Sequence, residues 1–291
     1  MSKRDARQPS LSAQGIALIR ALETEKPAGI RVCDDPLARR FVHPLLFALG
    51  KLLSGYADRR GPGVTGFLIA RCRCIDDFVS AALADGLQQL VIVGAGLDSR
   101  AYRLDGLKRI PVFEVDHPAS QQVKRGALER VFGGLPAHVV FVPINLGPET
   151  LDKLFGHGYD PRLKTLFVLE GLLPYLEAAV VDATLTFIHG NAGPGSALIF
   201  DYIDAAALAA NRKRHERARM QRGARFTGER LVFGIEAGRV TEFLHARGFS
   251  GVRDRTSRDL ESAYFTGPDA GRTVAPIYGI ASATVGDRPA A

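Results

Sequence analysis

A buried strand that runs straight into a Gly-x-Gly turn constrains this 291-residue chain more than any other feature. The segment reads Leu90-Val91-Ile92-Val93-Gly94-Ala95-Gly96-Leu97-Asp98-Ser99-Arg100. Its first four residues are all apolar rather than alternating, which suits a strand covered by helices on both faces. Glycines at 94 and 96 let a ligand touch the backbone, because no Cβ blocks the approach. The helix expected to follow points its N-terminus at anything negative. Asp98 is well placed to cap that helix.

The same alternation continues downstream. Strands are expected at Leu90–Val93, Val112–Val115, Val139–Val142, Thr165–Leu169 and Ala197–Phe200. Helices are expected near Ser99–Leu104, Ser120–Phe132, Glu149–Phe155 and Ala178–His189. Short apolar runs alternating with helical segments specify a doubly wound α/β sheet. The tail adds a helix, Ala237–Arg247, and strand-like runs near Gly251–Asp254 and Ile277–Thr284. Residues 1–85 carry helical signals only: Leu11–Leu22, Pro36–Leu53 with Asp35 as N-cap, and Phe67–Leu83 after the break at Gly61-Pro62-Gly63. The expected organisation is a helical cap region at 1–85 and a ligand-binding domain at 86–291.

Composition narrows the class. With 46% hydrophobic and 24% charged residues the chain is ordinary globular material. The net charge of +7 is mostly local: Asn211 to Arg225 holds seven basic residues against one Glu, and the rest is near neutral. That argues against a nucleic-acid-binding field over the whole molecule. The run reads as a solvated helix face or as a basic rim for anionic substrates. Cys33, Cys72 and Cys74 cannot build a disulfide framework, and any pairing leaves one over. Cys72 and Cys74 stand two apart in a helical segment, so their side chains diverge, and no metal site is expected. No signal core or run of about 18 apolar residues is present, which leads to the expectation of a cytoplasmic protein without a membrane partner.

Polar residues close the three strands that neighbour or follow the glycine turn of the first. The second ends in Glu114-Val115-Asp116-His117-Pro118, the third in Pro143-Ile144-Asn145-Leu146 and the fourth in Leu169-Glu170-Gly171. Ligands of open α/β sheets bind outside such carboxyl ends. An acid about 20 residues after the glycines, here Asp116, suits a ribose diol. Nicotinamide enzymes share that acid, but their fingerprint wants Gly or Ala where this chain has Ser99.

GAGLDSRAYRL, VFEVDHP and LEGLLPYL together resemble the motifs of bacterial S-adenosylmethionine-dependent methyltransferases of the leucine carboxyl methyltransferase type. The resemblance runs from about Ala17 to Gly248 and is most specific between Leu90 and Leu176. It implies the class I methyltransferase Rossmann-like fold: a mostly parallel doubly wound sheet with an antiparallel C-terminal strand and an N-terminal helical cap. It also implies S-adenosyl-L-methionine as cofactor. Gly94 and Gly96 would pass the methionine end, Asp116 would hold the ribose, and Asn145 with Leu146 would face the adenine. The family usually has Asp-Leu there, and the Asn145 carbonyl can still accept from an amino group. Glu170 would lie near the ammonium and sulfonium. Arg71 matches an arginine for the cofactor carboxylate, and a guanidinium fork suits that partner. Tyr175 matches an aromatic beside the substrate.

The expected activity is O-methyl transfer to a carboxylate or hydroxyl of a small, anionic acceptor. A carboxylate needs no general base, since it is ionised at neutral pH; no catalytic residue is therefore assigned. A hydroxyl acceptor would call for one, and His117 is the nearest motif histidine. The alternatives are a protein C-terminal carboxyl substrate, or a protein that binds the cofactor without turnover.

Overall fold

The computed structural model describes residues 11–60, 62–210 and 231–286. The five apolar runs form β1 (Gln89–Val93), β2 (Val112–Asp116), β3 (Val139–Pro143), β4 (Thr165–Leu169) and β5 (Ala197–Ile203). The tail supplies β6 (Phe249–Arg255) and β7 (Tyr278–Val285). All seven join one sheet in the order β3-β2-β1-β4-β5-β7-β6. β1 to β5 run parallel, and β7 lies antiparallel between β5 and β6. This is the mostly parallel sheet with an antiparallel C-terminal strand that the sequence led us to expect.

Strand pleat divides the core in two. Val91, Val93, Phe113, Val115, Phe167 and Leu169 face one layer, covered by α7 (Ala178–Gly190) and α8 (Val240–His245) through Val181, Leu185, Ile188 and Leu244. Leu90, Ile92, Val112, Leu166 and Val168 face the other, covered by α4 (Val64–Ala84) and α6 (Pro118–Phe132) through Phe67, Ile75, Val79 and Leu128. Each large apolar side chain so buried contributes about 1.5–3 kcal/mol. α1 (Leu11–Thr24), α2 (Ala38–Phe41) and α3 (Pro44–Arg60) gather round a separate cluster of Ala17, Ala21, Ala38, Val42, Phe47 and Leu97. α4 lies within residues 1–85 yet packs directly on the sheet.

Local departures from expectation have simple causes. The single helix expected at Pro36–Leu53 is two, because Pro44 lacks an N–H and pushes the preceding residues extended; Val42 has φ −106° and ψ 130°. Asp35 accepts the Leu37 and Ala38 N–H groups at 3.2 and 3.0 Å in the turn before α2, whose N-cap position is Leu37 rather than Asp35. The expected helix at Glu149–Phe155 is a 3-10 turn over Leu151–His157. α5 (Arg100–Arg103) is a single turn after the glycine loop. The sequence reading passed over α9 (Ser257–Tyr264), whose signal is the Thr256–Asp259 capping box. Cys33 and Cys72 are joined, and Cys74 is free and buried. The basic run 211–225 lies outside the described residues. Among those described, no helix is long and apolar enough to cross a membrane.

The chain leaves β1 toward β2 and β3 on one side, and β4 and β5 build the other. This switch point opens a crevice at the carboxyl ends of β1 and β4.

Candidate active site

A cavity of about 490 Å³ occupies that crevice, roofed by Ala13, Ile16, Ile19 and Arg20 of α1. Its floor is the glycine loop. Gly94 and Gly96 adopt φ +74° and +41°, a region L side chains avoid, and a Cβ on Gly94 would lie 2.9 Å from Leu172. Asp116 ends β2 half-buried. Its carboxylate accepts the backbone N–H groups of Gly96 and His117, the second at 2.6 Å. Those two bonds fix the carboxylate at the cavity wall.

Of the residues singled out by sequence, Arg71, Gly94, Gly96, Asp116, Glu170 and Tyr175 line one cavity. Asn145 and Leu146 do not. They follow β3, on the far side of β2 from β1, and the Asn145 N–H donates to Glu149 Oε2 at 2.7 Å. His117 is a helix cap: its Nδ1 accepts from the Ala119 N–H at 3.2 Å, at the start of α6.

Beneath the wall lies a continuous ionic network. Arg71 Nε donates to Glu170 Oε1 at 2.9 Å and its Nη1 to Asp201 Oδ2 at 2.8 Å. Asp201 also accepts the Gly171 N–H. Arg100 joins Glu170, Asp98 and Asp76, and Arg103 Nη2 donates to Asp76 at 2.7 Å. Arg20 donates to the Leu97 carbonyl at 2.6 Å and pairs with Asp35. Burial alone would raise the Glu170 carboxyl, but Arg100 and Arg71 reverse this and hold it well below the ordinary range. Asp98 is lowered in the same way, burial being overcome by Arg100. Cys33, Cys72 and Asp76 bring ligand-type atoms within 4.8 Å of one another. Two guanidiniums already occupy Asp76, however, so a cation there would face like charge.

Sequence reasoning missed Arg20, Asp201, Phe67 and Tyr278, all on the wall. Asp201 carried a readable signal, an acid inside the apolar run Ala197-Leu-Ile-Phe-Asp-Tyr-Ile203. Arg20 carried none, because only the folded cap brings α1 over the glycine loop. Phe67 and Tyr278 stack with centroids 4.4 Å apart and planes 10° from parallel.

Comparison with known proteins shows the family. The family model for leucine carboxyl methyltransferase matches residues 13–189. A protein of Rhodococcus jostii, named as an S-adenosyl-L-methionine-dependent methyltransferase, is 34% identical over 87% of this chain and 86% of its own. One of Mycolicibacterium gilvum with the same name is 32% identical over 88% of each chain. Among solved structures, one described as a methyltransferase from Thermobifida fusca superposes with a TM-score of 0.57, at 16% identity over 97% of both chains, and shares the fold.

The cavity can be tested against such a cofactor. Among the described residues the network links four guanidiniums (Arg20, Arg71, Arg100, Arg103) to five carboxylates (Asp35, Asp76, Asp98, Glu170, Asp201). One negative charge is left over beside the wall, which suits a ligand made cationic by its sulfonium. With Gly94 and Gly96 in its loop and the acid ending β2, the site fits S-adenosylmethionine. Fold and cavity thus define a class I S-adenosylmethionine-dependent methyltransferase. Within that class, the chain belongs to the leucine carboxyl methyltransferase family.

Proposed function

We propose that the methyl acceptor is a small molecule carrying a carboxylate on an apolar scaffold, so that the product is a methyl ester. One observation carries this reading: among the described wall residues, every carboxylate already accepts hydrogen bonds, and no histidine, lysine or cysteine stands ready as a general base. Glu170, Asp98 and Asp201 accept from guanidiniums, and Asp116 accepts two backbone N–H groups. Burial, and then the nearby Tyr175, push the Tyr278 phenol up, so it stays a neutral donor. Histidine, lysine and cysteine are absent from the described wall. An acceptor oxygen that arrives already ionised needs none of them, and a carboxylate is ionised at neutral pH.

When bound, the cofactor supplies an electrophilic methyl group for in-line displacement by the acceptor oxygen. The protein's part is to position and to exclude water. In this reading Asp116 holds the ribose hydroxyls and the loop at Gly94 and Gly96 lets the ligand pass close. Arg71, with Arg20 across the cavity, takes the amino-acid carboxylate, and Glu170 takes the ammonium. Asn145 and Leu146 lie beyond Asp116, off the cavity wall, and take no part in this reading. Val64, Leu68, Pro174, Tyr175, Ile203 and Leu231 give the acceptor end an apolar lining. The basic run 211–225, which ends shortly before Leu231 in sequence, supplies the charge that draws in an anionic acceptor.

The test pairs each carboxylic acid of an acceptor panel with its primary amide and its alcohol, using methyl-labelled cofactor. Label that transfers only to acids, and is released as methanol by mild alkali, is the expected result. Alkali-stable label on the alcohols would show an ether-forming enzyme and overturn the proposal.

A further inference from the structure

The side chain most heavily committed beneath the cavity does not line it. Arg100 is fully buried on α5, directly behind the glycine loop. Its Nε donates to Asp76 Oδ1 on α4 at 2.7 Å, and its Nη2 reaches the Cys72 carbonyl at 3.3 Å. Its Nη1 donates both to Asp98 of the loop and to Glu170 Oε2 at the end of β4. One planar guanidinium therefore locks three separate elements in register, something a single ammonium cannot do.

We infer that Arg100 is the positioning residue of the cofactor site, fixing the Glu170 carboxylate from behind so that it faces the cavity. The argument turns on how Glu170 is shared. Arg71 holds its other oxygen, but Arg71 also binds Asp201 and stands on the cavity wall, where a ligand carboxylate competes for it. Arg100 is off the wall, and the ligand does not compete for it. When Arg71 turns to a ligand, Arg100 is the cation that stays on Glu170. The other charged groups around this carboxylate are Arg20 from α1, Asp98 from the loop, Asp201 from β5 and, behind Arg100, Asp76 from α4. Without Arg100 the balance tips toward burial, which favours the neutral acid. The role concerns the cofactor only and is independent of the acceptor's identity.

The experiment is calorimetric titration of the full chain with S-adenosylhomocysteine and S-adenosylmethionine between pH 8 and pH 5. Four proteins are compared: wild type, Arg100→Gln, Glu170→Gln and the double variant. Wild-type affinity should change less than about threefold over this range, because Glu170 stays ionised. Arg100→Gln should bind about tenfold more weakly at pH 8 and lose about tenfold more toward pH 5, as Glu170 takes up a proton. Glu170→Gln should be weak but flat with pH, and adding Arg100→Gln to it should cost less than about threefold. A purely structural arginine would cost the same in both backgrounds with an unchanged pH profile, and that result overturns the inference. If the glutamine variant does not fold, Arg100→Lys is read in the same cycle. It should weaken binding when Glu170 is present and have almost no effect when it is absent; equal costs would again overturn the inference.

Discussion

The two ends of the cavity are built by different physics. At the cofactor end, side chains stand at strand ends and are held by charge-assisted hydrogen bonds: Asp116 on backbone N–H groups, Glu170 between two guanidiniums, Asp201 between Arg71 and the Gly171 N–H. At the end proposed for the acceptor, the wall comes from the first turns of α4, the 3-10 turn at Leu173–Tyr175, the start of β7 and Leu231. Contact there is apolar, led by the Phe67–Tyr278 stack, and Tyr175 is 37% exposed. A hydrogen-bonded polar network rejects any ligand that leaves its groups unpaired, whereas an apolar wall separates related shapes by only about 1–3 kcal/mol. In the proposed reading, one end is therefore committed to a single cofactor. The other can change its acceptor through a few side chains.

The sharpest way to break this contrast is to strike the cofactor end. Asp116→Ala and Glu170→Ala each remove a charged hydrogen-bonding partner, worth about 1.5–3 kcal/mol. Each should weaken S-adenosylmethionine binding by about 10- to 100-fold in a calorimetric titration. Glu170→Ala should lie at the upper limit, since it also leaves two buried guanidiniums short of a partner. Full cofactor affinity in both variants would refute the assignment of this end.

A smaller effect is expected from the other wall. Tyr278→Leu keeps bulk but removes the stacked ring, and an aromatic pair is worth about 0.5–1.5 kcal/mol beyond its buried area. The Michaelis constant for the acceptor should rise about 3- to 10-fold while cofactor affinity stays within about twofold. Equal losses in both would mean that the two ends are coupled through Arg71, which touches the Phe67 ring face from 5.6 Å.

This division also explains what could be read from the sequence. Gly94, Gly96, Asp116 and Glu170 were legible because each sits within a few residues of a strand, and strand period and turn chemistry are local. The sheet was legible for the same reason, since its central runs are apolar without interruption. Arg20, Phe67 and Tyr278 were not, because they meet only after the chain has folded: α1 and β7 are separated by over 250 residues. Asn145 marks the limit of the local method. Its strand end was identified correctly, but whether that end reaches the cavity wall depends on how β3 sits at the edge of the sheet.

The smallest expected effect sharpens the contrast by comparing two buried acids. Glu170, between two guanidiniums, is held below the ordinary carboxyl range; Glu114 of β2, which among the described residues pairs only with Lys124 Nζ, at 2.7 Å and without hydrogen-bond alignment, is raised by burial. The signs are opposite. A lowered acid stabilises the fold above its unfolded value, and that gain is lost as pH falls through its folded value, here in strong acid. A raised acid gives stability that is fully present below its unfolded value and is lost as pH rises through its folded one. The melting-temperature advantage of wild type over Glu114→Gln should therefore widen as pH falls from 8 to 5, by on the order of 2 °C. The advantage over Glu170→Gln should stay level across the same range, because that acid does not titrate there. A Glu114→Gln difference that stayed level toward acid would mean that Lys124 holds Glu114 as firmly as the guanidiniums hold Glu170, and the hydrogen-bonded network would lose its claim to be special to the cofactor end.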